Sequence, residues 1–279
     1  MWFCVRGRRK NRKQSRLPSR ARGLFDCSCV LQIEEEMSGI QEALKTIRNS
    51  IPKSVRLVAV SKTKPASAVL AAYDAGQRVF GENYVQELVD KAPVLPKDIQ
   101  WHFIGHLQSN KAKSIVEIPN LQCVESVDRE KVADALQKAC EKANRPLLDV
   151  MIQVNTSGED TKSGCDPSHA ENLVRHVLDT CPALRVKGLM TIGSPNPSPP
   201  NRDFELLRTL RNQCQVTFAG RVCDLELSMG MSHDFVLAIE NGSTNVRVGS
   251  SIFGNRVYTE SSNTSSSDSD HFSSNVPAN

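Results

Sequence analysis

From residue 56 to residue 248 the chain alternates, eight times over, between a short β-rich run and a helix-forming stretch. The predicted strands are Arg56–Val60, Arg78–Phe80, Trp101–Ile104, Gln122–Glu125, Leu148–Val154, Leu184–Met190, Cys223–Leu227 and Val246–Val248. Helices are expected between them at Pro65–Ala75, Tyr84–Lys91, Ser109–Val116, Arg129–Ala143, Pro167–Thr180, Arg202–Val216 and Phe235–Glu240. Alternation of this kind leaves two architectures, a doubly wound sheet or an eight-stranded (β/α)8 TIM barrel, and the strand count favours the barrel. An amphipathic segment with Ile40, Leu44, Ile47 and Ile51 precedes the first strand and could cap the bottom or pack on the side.

Length and charge agree with a barrel and remove other classes. The 279 residues suit a single barrel, and no apolar run approaches the ~20 residues that span a bilayer, so no membrane partner is expected. Aromatics are 5 % of the chain, too few for stacking bases along a groove. The net charge of +4 is misleading, because residues 1–22 hold nine basic residues and no acid, and the remainder is mildly acidic. No nucleic-acid partner is expected.

The chain then reads as three zones: a basic, disordered extension over 1–36, a globular domain over 37–257, and a disordered Ser-rich tail over 258–279. The extension lacks the clean apolar core of a secretory signal. Its Arg-rich start fits a mitochondrial transit peptide, but the clusters Arg8-Arg9-Lys10 and Arg12-Lys13 fit a solvated tail better. The expected compartment is the cytoplasm, with the mitochondrion as the alternative. Nine scattered cysteines without a C-x-x-C pair read as reduced, core-filling thiols, with no metal site.

In such barrels the site lies where the strands end. Ser228-Met229-Gly230 after strand seven and Gly249-Ser250 after strand eight each supply a hydroxyl and a glycine, which suits a phosphate, although either glycine could simply make a tight turn. Val58, Val60 and Lys62 share one face of the first strand, so Lys62 projects at the mouth, whereas Lys64 before Pro65 is expected to be exposed. A partly desolvated lysine there has a lowered pKa and can form a Schiff base with an aldehyde; the commoner fate of a lysine is to snorkel. Phosphate site and lysine together suggest pyridoxal phosphate. Arg247 lies inside a strand and needs a partner, either a core carboxylate such as Glu226 or the cofactor's pyridine nitrogen.

The blocks Val58–Pro65, Phe80–Glu87, Trp101–Gln108, Gln153–Glu159, Lys187–Ile192, Leu227–Ser232 and Val246–Gly249 resemble the pyridoxal phosphate homeostasis protein family, single-domain relatives of alanine racemase. The resemblance covers roughly residues 37–257 and implies the alanine racemase N-terminal-domain barrel. It further implies that Lys62 is the Schiff-base lysine, that Ser228, Gly249 and Ser250 contact the phosphate with backbone help from Met229 and Gly230, that Arg247 faces the pyridine nitrogen, and that Asn83 and Met190 line the ring. The stretches Ser194–Asn201 and Cys214–Cys223 depart from the family pattern.

The function so implied is binding of pyridoxal 5'-phosphate for its intracellular homeostasis, by buffering and by delivery to apo-enzymes through transient contacts, as a monomer and not as an enzyme. The alternative is a weak amino-acid racemase. Two-sided racemisation needs a second acid/base on the opposite ring face, which alanine racemase takes from a tyrosine of another domain. No room for that domain is expected here, and the tyrosines are Tyr73, Tyr84 and Tyr258 only. A barrel for some other phosphorylated metabolite would leave Lys62 idle.

Overall fold

The computed structural model describes residues 27–194 and 201–254, with side chains from residue 35 onward. The expectations for the start of the extension, the Ser-rich tail, Tyr258 and the middle of Ser194–Asn201 fall outside those residues.

Eight parallel strands close into a barrel in sequence order: β1 Arg56–Val60, β2 Val79–Glu82, β3 Gln100–Phe103, β4 Leu121–Val127, β5 Leu148–Gln153, β6 Leu184–Met190, β7 Glu226–Ser228 and β8 Asn245–Val248, with β8 returning to β1. Helices α2 Ala66–Asp74, α3 Val85–Lys91, α4 Ala112–Val116, α5 Glu130–Lys142, α6 Ala170–Thr180, α7 Arg202–Thr217 and α8 Phe235–Glu240 separate them. Strand parity sorts the side chains. Outward residues such as Phe80, Val124, Leu227 and Val246 join the helices in one continuous hydrophobic cluster, while Cys123, Met151 and Met190 form a small separate cluster in the interior.

Two elements depart from expectation. Helix α1 runs over Cys27–Asn49, so residues 27–36 of the expected disordered extension are helical. Ile40 and Leu44 are buried, and Arg48 ties the helix end to Ala75 O and Gln77 Oε1, both at 2.8 Å, beside the turn that enters β2. The seventh strand starts at Glu226 rather than Cys223, because Cys223 and Asp224 are exposed in the turn that follows α7.

A further short helix, α9 (Ser250–Phe253), opens directly after β8. The barrel is not evenly registered. Shifts fall at Trp101/His102, between Val124 and Val127, and at Val150/Met151. Such irregularities re-aim side chains next to sites, and the second one contains Glu125.

Candidate functional site

A cavity of about 340 Å³ opens at the C-terminal ends of the strands. Val60, Lys62 and Lys64 form one wall, Asn83 and Ile104 the next, and Met190 and Ile192 a third. The loop after β7 contributes Met231, Ser232 and His233, and the ring closes through Arg247, Gly249 and Ser250. Of the predicted site residues, the wall therefore gathers Lys62, Asn83, Met190, Arg247, Gly249 and Ser250. It also contains Lys64, which was expected to be exposed and is half-buried instead.

Lys64 arrives there because the chain turns at once after β1. Lys64 N donates to Ser61 O at 3.1 Å, closing a turn whose third residue, Thr63, sits at φ 61°. A β-branched residue in the left-handed region is strained by about 1–3 kcal/mol and stays only where its surroundings hold it. The hold is visible on both sides of Lys62. Lys91 Nζ donates to Ser61 O (2.9 Å), to Glu82 Oε1 (2.8 Å) and to Glu87 Oε2 (2.7 Å), and Glu87 Oε2 in turn accepts from Thr63 N at 2.8 Å. Burial pushes the Glu82 carboxyl above its usual range, against the opposing pull of Lys91 and Ser61.

Next to this loop, Gly105 allows a close approach: a Cβ there would lie 1.9 Å from Asn83 O. The approach seats Asn83 in the wall with its Oδ1 buried and without a hydrogen-bond partner.

Arg247 is 4 % exposed and enters the cavity from below. Its guanidinium donates to Ser228 Oγ at 2.6 Å and to Thr191 O at 2.7 Å. Ser228 Oγ donates to Glu125 Oε2 at 2.5 Å and accepts from Asn245 Nδ2 at 2.9 Å, and Glu125 Oε1 meets His102 Nδ1 at 2.5 Å. Burial alone would raise the Glu125 carboxyl. The His102 hydrogen bond, the charges of His102 and Arg247, and the Ser228 hydroxyl outweigh it and bring the pKa down to about 2. Burial draws the Arg247 pKa down, against the charges of Glu125 and Asp234, but guanidinium stays protonated in proteins. Glu226, the other partner considered for Arg247, sits at the opposite end on Arg56 and Lys187.

The residues expected at the phosphate divide, with Gly249 and Ser250 in the cavity wall and the other three outside it. Ser228 and Met229 are fully buried and Gly230 lies behind them, none of them in the cavity wall. The Ser228 hydroxyl is committed to Glu125, Met229 N donates to Asn245 O at 3.2 Å, and Gly230 O accepts from Arg247 N at 3.0 Å. At the rim, Ser232 Oγ accepts from Gly249 N (3.2 Å) and Ser251 N (3.5 Å) where α9 opens. Backbone N–H groups at the start of a short extra helix after β8 are how barrels of this kind hold phosphate.

Neither Tyr73 nor Tyr84 lines the cavity; the Tyr73 hydroxyl donates to Asp98 at 2.7 Å, and Tyr84 is exposed. Sequence reasoning missed Glu125, His102, Lys91 and Ser232. The first two carried the signal that singled out Arg247, a charged or polar residue inside an apolar strand.

Comparison with known proteins places this geometry. The family model for the alanine racemase N-terminal domain matches residues 36–257. The alanine racemase of Corynebacterium glutamicum shares the fold at a TM-score of 0.65 and 15 % identity, over 78 % of this chain and 62 % of that one. The class is thus the alanine racemase N-terminal-domain barrel. Within it, the pyridoxal phosphate homeostasis protein of Mus musculus is 47 % identical over 244 residues, which is 80 % of this chain and 89 % of that protein. The solved structure of PipY from Synechococcus elongatus with PLP bound is 37 % identical with a TM-score of 0.69, covering 77 % of this chain and all of that one (100 %). The chain belongs to the pyridoxal phosphate homeostasis protein family.

Proposed function

We propose that this chain binds pyridoxal 5'-phosphate at the barrel mouth as a Schiff base on Lys62. Its role is homeostasis of the cofactor, by buffering it and handing it to apo-enzymes, and not turnover of a substrate. The observation that carries the reading is Asn83 Oδ1, a buried acceptor with no partner in the wall of a cavity that also presents Lys62 and Arg247. An unpaired buried acceptor is costly, so the site fits a ligand that brings a donor, as the ring hydroxyl of this cofactor does.

The other residues fit as well. Ser250 and Ser232 offer hydroxyl groups to a phosphate beside Gly249, where α9 opens. Arg247 can only donate, so it binds a pyridine nitrogen in its unprotonated form. Met190 and Ile192 supply apolar wall for the ring. The cofactor, when bound, supplies an aldehyde that condenses reversibly with amines and a ring that can take up electrons. Arg247 weakens that second property. Among the described residues no tyrosine reaches the wall to serve as an opposite-face base, which favours a carrier over a racemase. The names of the relatives, and PLP in the PipY structure, support the same reading.

The test is the absorption spectrum of the purified protein before and after borohydride reduction, with peptide mapping. The reduced cofactor is expected on Lys62, and Lys62→Ala should lose it while Lys64→Ala largely keeps it. Attachment at Lys64 in a chain with Lys62 intact would overturn the assignment. Incubation with L-alanine in deuterated water should give no D-alanine; its accumulation, lost in Lys62→Ala, would establish an enzyme.

A further inference from the structure

The barrel has a second opening at its other end. A cavity of about 240 Å³ lies among the strand starts, lined by Arg56, Arg185 and Lys187, by Gln100 and Gln122, and at its depth by His102. The three cations pair with Asp149 in the lining and with Glu226 beside it. Asp149 is taken up by Arg185 through Nε at 2.6 Å and a terminal nitrogen at 2.9 Å. Glu226 is taken up by Arg56 and by Lys187, the latter at 3.1 Å.

Both carboxylates are thus paired with cations, and cationic donors remain. Arg56 Nε and the second terminal nitrogen of Arg185 make no hydrogen bond among the described residues, and the Lys187 ammonium uses one contact of three.

His102 is an independent observation. It is 2 % exposed and lines the cavity, and its Nδ1 is engaged by Glu125, which fixes the ring at the cavity's depth.

We propose that this bottom cavity binds a small oxyanion of the phosphate or sulfate type, held by Lys187, Arg56 and Arg185. The volume is several times that of a water molecule, about 30 Å³, and admits such an anion with part of its hydration. The site lies at the opposite end of the barrel from the mouth.

Met151 lines the bottom cavity and Met190 the mouth, and because the two pack together the variants assign a shift to one opening or the other. Methyl-labelled full-length protein is titrated with inorganic phosphate, with sodium sulfate, and with sodium chloride at matched ionic strength. The Met151 methyl and the His102 ring signals are expected to move saturably with phosphate and sulfate and not with chloride. Lys187→Gln should weaken that binding roughly tenfold, as loss of one charged partner in a partly enclosed site does, and leave any Met190 response unchanged. Arg185→Gln serves as a second variant should the first fold poorly. Overturning results are an unmoved Met151, a response that chloride reproduces, or undiminished affinity in both variants. A response at Met190 alone would place the anion at the mouth and sink the proposal while leaving the proposed function standing.

Discussion

The two faces of the same strands are built on opposite principles. On the outside, Val124, Leu227 and Val246 pack against helices in one hydrophobic cluster. One residue further along each strand, Glu125, Ser228 and Arg247 point inward and join a hydrogen-bonded chain. Barrel interiors are usually filled by branched apolar side chains; here Met151, Met190 and Cys123 fill only part of the space. The outer face sets the fold and tolerates exchange of one apolar residue for another. The inner face sets the site, and each member holds the next, so a single deletion exposes its neighbours' charge.

The largest effect should come from breaking the inner face at its centre. Glu125→Ala leaves Arg247 and His102 without their shared counter-charge and should cost about 3–5 kcal/mol of stability, with cofactor affinity lost even in the folded fraction. Leu227→Ala on the outer face should cost about 2–5 kcal/mol yet leave affinity per folded molecule close to that of the parent. Urea unfolding and cofactor titration, each at a temperature where both variants fold, separate the two; equal loss of affinity would erase the distinction between faces.

Acid sharpens the same comparison. The Glu125 carboxyl is depressed in the folded chain to about 2. Its contribution is therefore fully present above the unfolded carboxylate value of about 4.3 and is lost as pH falls through about 2. Unfolding free energies across pH 2–6 should show Glu125→Gln closing on the parent at the acid end, whereas the Leu227→Ala deficit stays constant. A Glu125→Gln deficit independent of pH would mean that the carboxylate is not the stabilising form.

Lys91 crosses the comparison, since its charge lies in the strand–helix layer yet holds the mouth loop. Lys91→Met removes the cation from Glu82 and should cost about 1–3 kcal/mol; borohydride trapping at Lys62 should slow as the loop loosens. Unchanged trapping would show that Thr63 and its neighbours keep their turn unaided. The smallest effect is expected from Thr63→Gly, which relieves strain and should stabilise by about 1 kcal/mol, read as a small rise in Tm.

The outer face was the legible one. Periodicity placed β1, β6 and α8 at their observed bounds and found the other strands within a few residues, because burial against helices imposes a pattern along the chain. The cavity wall was legible within two residues of a strand end, as at Lys62, Asn83 and Gly249. What failed were contacts made across the barrel. Ser228 read as a rim hydroxyl, and only the position of Glu125, 103 residues away in sequence, shows that it points into the interior. Ser232 stayed hidden for the complementary reason, since its place depends on how the loop after β7 folds toward α9.

The inward chain runs from His102 at one opening, through Glu125 and Ser228, to Arg247 at the other. A genetic screen for variants that fail to retain the cofactor would therefore return residues from the far end of the barrel alongside those of the mouth. Mapped on the linear sequence, such hits would look scattered and would invite the explanation that they merely misfold. Along the barrel axis they fall in one line.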